Sequence, residues 1–223
     1  MNNQSKLWGS EAPPSLVIFD LDGTLVDSLA DLAASVNYMR VCFDLPMLTI
    51  EQVRNGIGKG ARNLVERCLP EGDERIEAAL KVFLEHNEKN LAVNSTLYPG
   101  ISELLPALDG AGIAMTVVTN KNSRHSRLLL TTLGIDRYFR DIVGGDAVKN
   151  CKPSPDPLLE AIARCGATGA TTVMIGDSIN DFAAAASAGV RSIGCRFGYG
   201  EPWEFEQATI CIESAMELLP LPW

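Results

Sequence analysis

The sequence predicts an α/β protein. Its core should be Rossmann-like and three-layered, a parallel sheet between helices, with an all-helical unit inserted early. Three observations carry this. From residue 96 onward, short apolar runs alternate with stretches of helical spacing. A first apolar run at 16–19 stands apart from the others. Between them, residues 28–95 show helical spacing and no convincing strand. Strands alternating with helices imply βαβ units and helices on both faces of a parallel sheet.

Taken in order, residues 1–15 are polar, end near Pro13-Pro14, and read as a flexible tail. Leu16-Val17-Ile18-Phe19 is apolar on both faces, as a buried parallel strand requires. Residues 16–27 and 96–223 then form the core, and 28–95 the helical unit. In that unit Leu29, Leu32, Ala33 and Val36 mark one helix, with Ser28 and Asp31 resembling a capping box at its start. Thr49 with Gln52 marks a second start. Gly56, Gly58 and Gly60 interrupt the pattern, and a long helix over about 74–91 follows. Back in the core, strands are expected at 114–119, 142–143, 172–175 and 191–195, the last being the final strand. Helices are expected near 101–110, 123–133 and 156–165, with another from 178 to Gly189. Pro106 should shorten or kink the first of these, with Ser102 as its N-cap. Asp156 is the expected N-cap of the third, with Pro157 at its first helical position.

Composition narrows the function. A chain of 223 residues, 46% hydrophobic, can bury a sizeable core. Its 19 Lys+Arg against 28 Asp+Glu leave a net charge of −9, which argues against nucleic acid as a partner. The apolar runs fall far short of the roughly 18 residues of a membrane span, so no membrane partner is expected. No cleavable signal is visible, and none of the six cysteines forms a C-x-x-C. A cytoplasmic setting with free thiols, most of them small core residues, follows. With only His86 and His125 present, zinc and Ser-His or Cys-His mechanisms lack parts.

The acidic residues fall where ligands bind an open α/β sheet, outside the carboxyl ends of its strands. Asp20 and Asp22 follow the first strand, and Thr119 and Asn120 end the second. Lys152 lies in the loop after the third. Asp177 follows the fourth, with Asp181 one helical turn on. Several carboxylates at one point repel each other and need a cation. With hard oxygen donors and no His or Cys nearby, the fitting cofactor is Mg²⁺. Lys152 and Thr119 add donors suited to an anion. Phosphoryl transfer with a carboxylate nucleophile fits this inventory best.

The string Asp20-Leu21-Asp22-Gly23-Thr24-Leu25-Val26-Asp27 resembles the first motif of the haloacid dehalogenase superfamily. Val118-Thr119-Asn120-Lys121, Lys152-Pro153 and Gly176-Asp177-Ser178-Ile179-Asn180-Asp181 look like the other three, in the right order. The helical stretch is similar to the superfamily's C1-type cap, and the wording of the core is similar to bacterial phosphoglycolate phosphatases. The resemblance implies a Mg²⁺-dependent phosphomonoester hydrolase with 2-phosphoglycolate as substrate. Asp20 would be the nucleophile and form an aspartyl-phosphate. Asp22 would protonate the leaving oxygen and then deprotonate water. Mg²⁺ would be held by Asp20, the Asp22 backbone carbonyl and Asp177. Thr119 and Asn120 would hold phosphoryl oxygens, Lys152 would neutralise charge, and Asp181 would orient Lys152 or a water on the metal.

Asp22 sets the chain apart from dehalogenases, whose leaving halide needs no proton. Lys59 and Arg62, beside the glycine-rich loop, are candidates for a substrate carboxylate, since a guanidinium fork matches one. His125 is expected at the exposed start of a helix. Three alternatives stay open. One is a phosphatase for another small phosphorylated metabolite, such as a sugar phosphate, nucleotide or pyrophosphate. A second is a β-phosphoglucomutase-like phosphotransferase, and a third an inactive binding protein. The expected partner is a small phosphorylated metabolite, and the expected state a monomer or homodimer.

Overall fold

The computed structural model describes Trp8 and residues 12–221. Six parallel strands form the main sheet: β1 (Leu16–Phe19), β4 (Ala114–Val118), β5 (Asp141–Val143), β6 (Thr172–Gly176), β7 (Arg191–Cys195) and β8 (Ile210–Ile212). Their order is β5-β4-β1-β6-β7-β8. The chain leaves β1 for β4 and β5 on one side, then returns to β6 on the other. Leu16 is in register with Ala114 and with Thr172, so β1 lies at the centre. Its side chains alternate between two cores. Val17 and Phe19 join the larger, with Leu104, Leu108 and Leu129, whereas Leu16 and Ile18 face Leu158, Ala161 and Ala185. This is the α/β class expected from the sequence.

Two short strands, β2 (Val26–Asp27) and β3 (Thr96–Leu97), pair antiparallel and mark where the chain leaves and re-enters the core. Between them run α1 (Leu29–Cys42), α2 (Ile50–Arg54), α3 (Gly60–Arg67) and α4 (Ile76–Lys89). These helices bury a core of their own, centred on Val36, Met39, Val65 and Phe83. Thr49 and Gln52 form the expected capping box of α2. The Ser28–Asp31 box does not form. Ser28 precedes α1 without a side-chain cap bond, and Asp31 turns instead to the returning chain. There it accepts from Asn94 N and Nδ2 and from Ser95 N and Oγ at 2.7–3.0 Å. A carboxylate satisfied by a strap 63 residues away is no longer available to its own helix end.

The remaining helices are α5 (Ile101–Gly110), α6 (Ser123–Thr132), α7 (Asp156–Cys165) and α8 (Ile179–Ser187). Helix α5 neither shortens nor stops at Pro106, and its N-cap is Gly100 rather than Ser102. Pro106 removes the bond to Ser102 O, but both residues are on the exposed face, where that carbonyl is open to solvent and the loss is cheap. Helix α7 starts at Asp156 after Pro155, so Pro157 stands at its second position. The short edge strand β8 lies beyond the expected last one. Of the six free cysteines only Cys68 and Cys195 are buried, while Cys42 and Cys151 are exposed. Most of the lead-in 1–15 is outside the described residues. Of its described residues, Trp8 is docked, 2% exposed in the larger core with its Nε1 donating to Leu218 O, whereas Ala12, Pro13 and Ser15 are exposed. No helix among the described residues is long and apolar enough to cross a membrane.

Candidate active site

The strand order places the crevice for a ligand where the chain reverses direction, at the carboxyl ends of β1, β4 and β6. Asp20 follows β1 directly, its N–H donating to Ile175 O at 2.9 Å. Thr119 follows β4 and its N–H donates to Val143 O at 3.0 Å. Asp177 follows β6. It accepts from Thr24 Oγ1 at 3.1 Å and from Tyr199 N at 2.7 Å. Gly23 turns the chain between Asp22 and Thr24 at φ +89°. A Cβ there would collide with the Asp177 carboxylate, so only glycine lets the two loops meet.

Lys152 reaches in from the loop after β5 and is only 4% exposed. Its Nζ donates to Asp181 Oδ1 at 2.6 Å and to Val118 O at 2.7 Å, and lies 2.9 Å from Asp20 Oδ1. The last contact is an ion pair without hydrogen-bond direction, so Asp20 Oδ1 is buried with no hydrogen bond. Asp181 also accepts from Ser178 N and Oγ, at 3.0 and 2.9 Å, in a capping box at the start of α8.

Carboxylate oxygens of Asp20, Asp177 and Asp181 lie within 4.8 Å of one another. Burial, partly offset by Lys152 and reinforced by Asp181, pushes the Asp20 carboxyl up to about 7. Asp177 is raised well above the carboxylate range by burial first, then by Asp181 and Asp20. Burial works against the Lys152 charge, yet Asp181 and Asp20 outweigh it and hold the ammonium above its ordinary value. One ammonium against three carboxylates leaves negative charge uncompensated. The all-oxygen donor set, in which Asp20 Oδ1 is met only by the shared Lys152 ammonium, fits a hard divalent cation at this point.

The Asp22 side chain is outside this acidic group. Its two oxygens each lie 3.0 Å from Lys121 Nζ, and Ser28 Oγ donates to Oδ1 at 2.5 Å. Thr119 Oγ1 accepts from Lys121 N at 3.2 Å. Asn120 Nδ2 donates to Lys152 O at 2.8 Å and to Gly58 O at 2.9 Å. Asn180 Nδ2 reaches the same Gly58 carbonyl at 3.3 Å. Gly58, at φ +106°, thus drops the loop of the helical unit onto the acidic site.

That loop divides the cleft. A narrow compartment of about 70 Å³ has apolar walls, including Leu32, Leu64 and Phe83, and a polar end with Lys121, Asn87 and His125. The other, about 450 Å³, takes in Asp177, Arg54, Lys59 and Tyr199; Asp20 and Asp22 open onto both. Of the two cations expected to face a substrate, Lys59 borders the wide compartment. Arg62 borders neither and pairs with Glu77 on the surface. His125 is buried rather than exposed, because α4 covers it and Glu88 Oε2 stands 3.5 Å from its Nε2. Arg54 and Tyr199 were not legible as site residues. Lys121 ends the Val118-Thr119-Asn120-Lys121 motif, yet the motif alone gave it no role.

The model of the haloacid dehalogenase-like hydrolases matches residues 17–195, which span every strand-end residue above. The chain is 42% identical over 216 residues to phosphoglycolate phosphatase 1 of Pseudomonas aeruginosa, covering 93% of this chain and 79% of that one. It is 41% identical over 191 residues to a phosphoglycolate phosphatase of Agrobacterium fabrum, covering 82% and 81%. A crystal structure of a predicted phosphoglycolate phosphatase from Haemophilus somnus superposes with a TM-score of 0.85 at 34% identity, covering 92% and 96%. The chain therefore belongs to the haloacid dehalogenase-like hydrolases. Within that family it is a phosphatase.

Proposed function

We propose that this chain is a Mg²⁺-dependent phosphomonoester hydrolase that works through an aspartyl-phosphate and takes 2-phosphoglycolate as substrate. The observation that carries the reading is the Asp20 carboxylate. It is fixed at a strand end, with one oxygen unbonded, beside the Lys152 ammonium and two further carboxylates. The relatives' names support the substrate.

An Asp20 oxygen attacks phosphorus while the ester P–O bond breaks. Asp22 gives its proton to the departing glycolate oxygen. Asp22 then takes a proton from water, whose oxygen attacks phosphorus, breaks the bond to Asp20 and frees phosphate. Thr119 and Lys152 hold the phosphoryl oxygens in line. Asp20, Asp177 and the Asp22 backbone carbonyl would hold Mg²⁺, which when bound supplies positive charge against the phosphoryl oxygens. The contacts of Asp22 bear on its part. Ser28 and Lys121 fix the carboxylate's orientation for both proton transfers. The helical unit acts as a cap that excludes bulk water.

Phosphate release from a panel of small phosphate esters, with Mg²⁺ present, tests this. The highest kcat/KM is expected for 2-phosphoglycolate. A higher value for a sugar phosphate or nucleotide would overturn the substrate, and no release from any ester would overturn the activity.

A further inference from the structure

Arg54 is the least exposed of the cations that border the wide compartment, Lys59 and Arg67 being the others. Lys59 and Arg67 are exposed, and Arg67 Nη1 is spent on Asn55 O at 3.0 Å. Arg54 is held more firmly, its side chain 30% exposed. Its Nη2 makes a long 3.3 Å bond to Tyr199 O, and its Nη1 is 3.7 Å from the exposed Glu51. Its Nε is buried with no hydrogen-bond partner. An N–H taken out of water and left without an acceptor is a standing cost, removed when a ligand supplies one. The acidic side chains nearby do not fill that role, since Glu204 is engaged by Ile179 N at 2.6 Å and by Glu201 N at 3.4 Å.

Arg54 also borders the same space as Asp20, Asp22 and Asp177. A phosphate ester whose phosphorus sits at Asp20 can extend its other end in two directions. The narrow compartment is largely apolar, and the wide one presents a guanidinium. A guanidinium offers a planar fork matched to a carboxylate and is more weakly hydrated than an ammonium such as Lys59.

We propose that Arg54 binds the carboxylate of the substrate, so that the wide compartment seats the leaving group and Arg54 selects short phosphate esters with a second anionic end. This rests on the phosphatase reading above and names the residue that makes it selective. It moves the carboxylate contact from Lys59 and Arg62 to a side chain on α2.

The test separates binding from turnover. In an Asp20→Asn background with Mg²⁺ present, calorimetry compares 2-phosphoglycolate with ethyl phosphate, which lacks the carboxylate. With Arg54 present, the carboxylate ester should bind more tightly. Arg54→Gln should cut that preference by roughly 10- to 100-fold and leave ethyl phosphate within about twofold, which also shows that the variant is folded. Arg54→Lys should restore part of the preference. Equal weakening of both esters, no change in either, or no preference with Arg54 in place would each overturn the assignment. Hydrolysis by the chain with Asp20 intact is read separately. Failure to release phosphate from either ester would sink the enzymatic reading, whereas a preference in binding that follows Arg54 would stand.

Discussion

Asp31 in the helical unit and Asp177 at the sheet edge are the same residue type, each 2% exposed. Their carboxyls are nonetheless shifted in opposite directions. Burial acts against the Asp31 charge, but hydrogen bonds from Ser95 and Asn94 outweigh it and hold the group below the usual range. Asp177 has two donors, Thr24 and Tyr199, and two like-charged neighbours, so burial and repulsion raise it. The difference lies in what surrounds the charge. Asp31 is saturated from within the chain and fastens two segments together. The group around Asp177 is left short of positive charge, as a site must be if an ion and a substrate are to complete it.

The largest expected effect comes from breaking that site at its centre. Asp20→Asn keeps the shape of the side chain and removes the nucleophilic charge. Turnover of 2-phosphoglycolate should fall at least about 10⁴-fold, with the circular dichroism spectrum unchanged. Substantial activity in this variant would place the nucleophile elsewhere and end the contrast between a structural and a chemical carboxylate.

Asp31→Ala should act on stability instead. It leaves the buried Ser95 N–H and Oγ without their acceptor, while the exposed Asn94 can turn to water, at a cost of about 2 kcal/mol in urea unfolding at pH 7. The pH dependence sharpens the point. The folded carboxyl lies below its unfolded value of about 3.9. Its contribution is therefore complete above that value and is lost as pH falls through the folded pKa. The variant's melting temperature should decline less steeply on the acid side than the parent's. Parallel acid limbs would mean that Asp31 does not fasten the strap.

The same contrast explains what could be read in advance. The central strands were legible because Leu16–Phe19 and Thr172–Gly176 are apolar on both faces, a pattern set by local composition. Asp20, Thr119, Lys152 and Asp177 were legible because the strand-end rule turns sequence position into spatial position. Where partners are distant, local pattern misleads. Asp31 sits three residues after Ser28 like a capping partner, yet its donors come from 94 and 95. His125 begins a helix, yet α4 covers it. Arg54 carries no motif, and its orphaned Nε exists only once α2 is laid against the Tyr199 loop. Ile210–Ile212 is three residues long and half-buried at a sheet edge, too little for a periodic signal.

Asp177→Asn gives the smallest shift, and its sign depends on conditions. In chelated protein the substitution removes a carboxyl that burial and its two acidic neighbours make costly to ionise. It also weakens the bonds from Thr24 and Tyr199, a loss of about 1 kcal/mol. Relief of buried like-charge repulsion is worth more, about 2 kcal/mol, so the variant should be the more stable by about 1 kcal/mol. For a chain of this size that is roughly 2–4 °C in melting temperature. Saturating Mg²⁺ should reverse the order, because an ion bound only by the folded parent adds about 2.7 kcal/mol at a hundred times its Kd. Calorimetric melts of both proteins, with chelator and with Mg²⁺, would show the crossing. If the parent melts higher in both buffers, the carboxylates at the sheet edge are satisfied without an ion, as Asp31 is, and the distinction between the two regions fails.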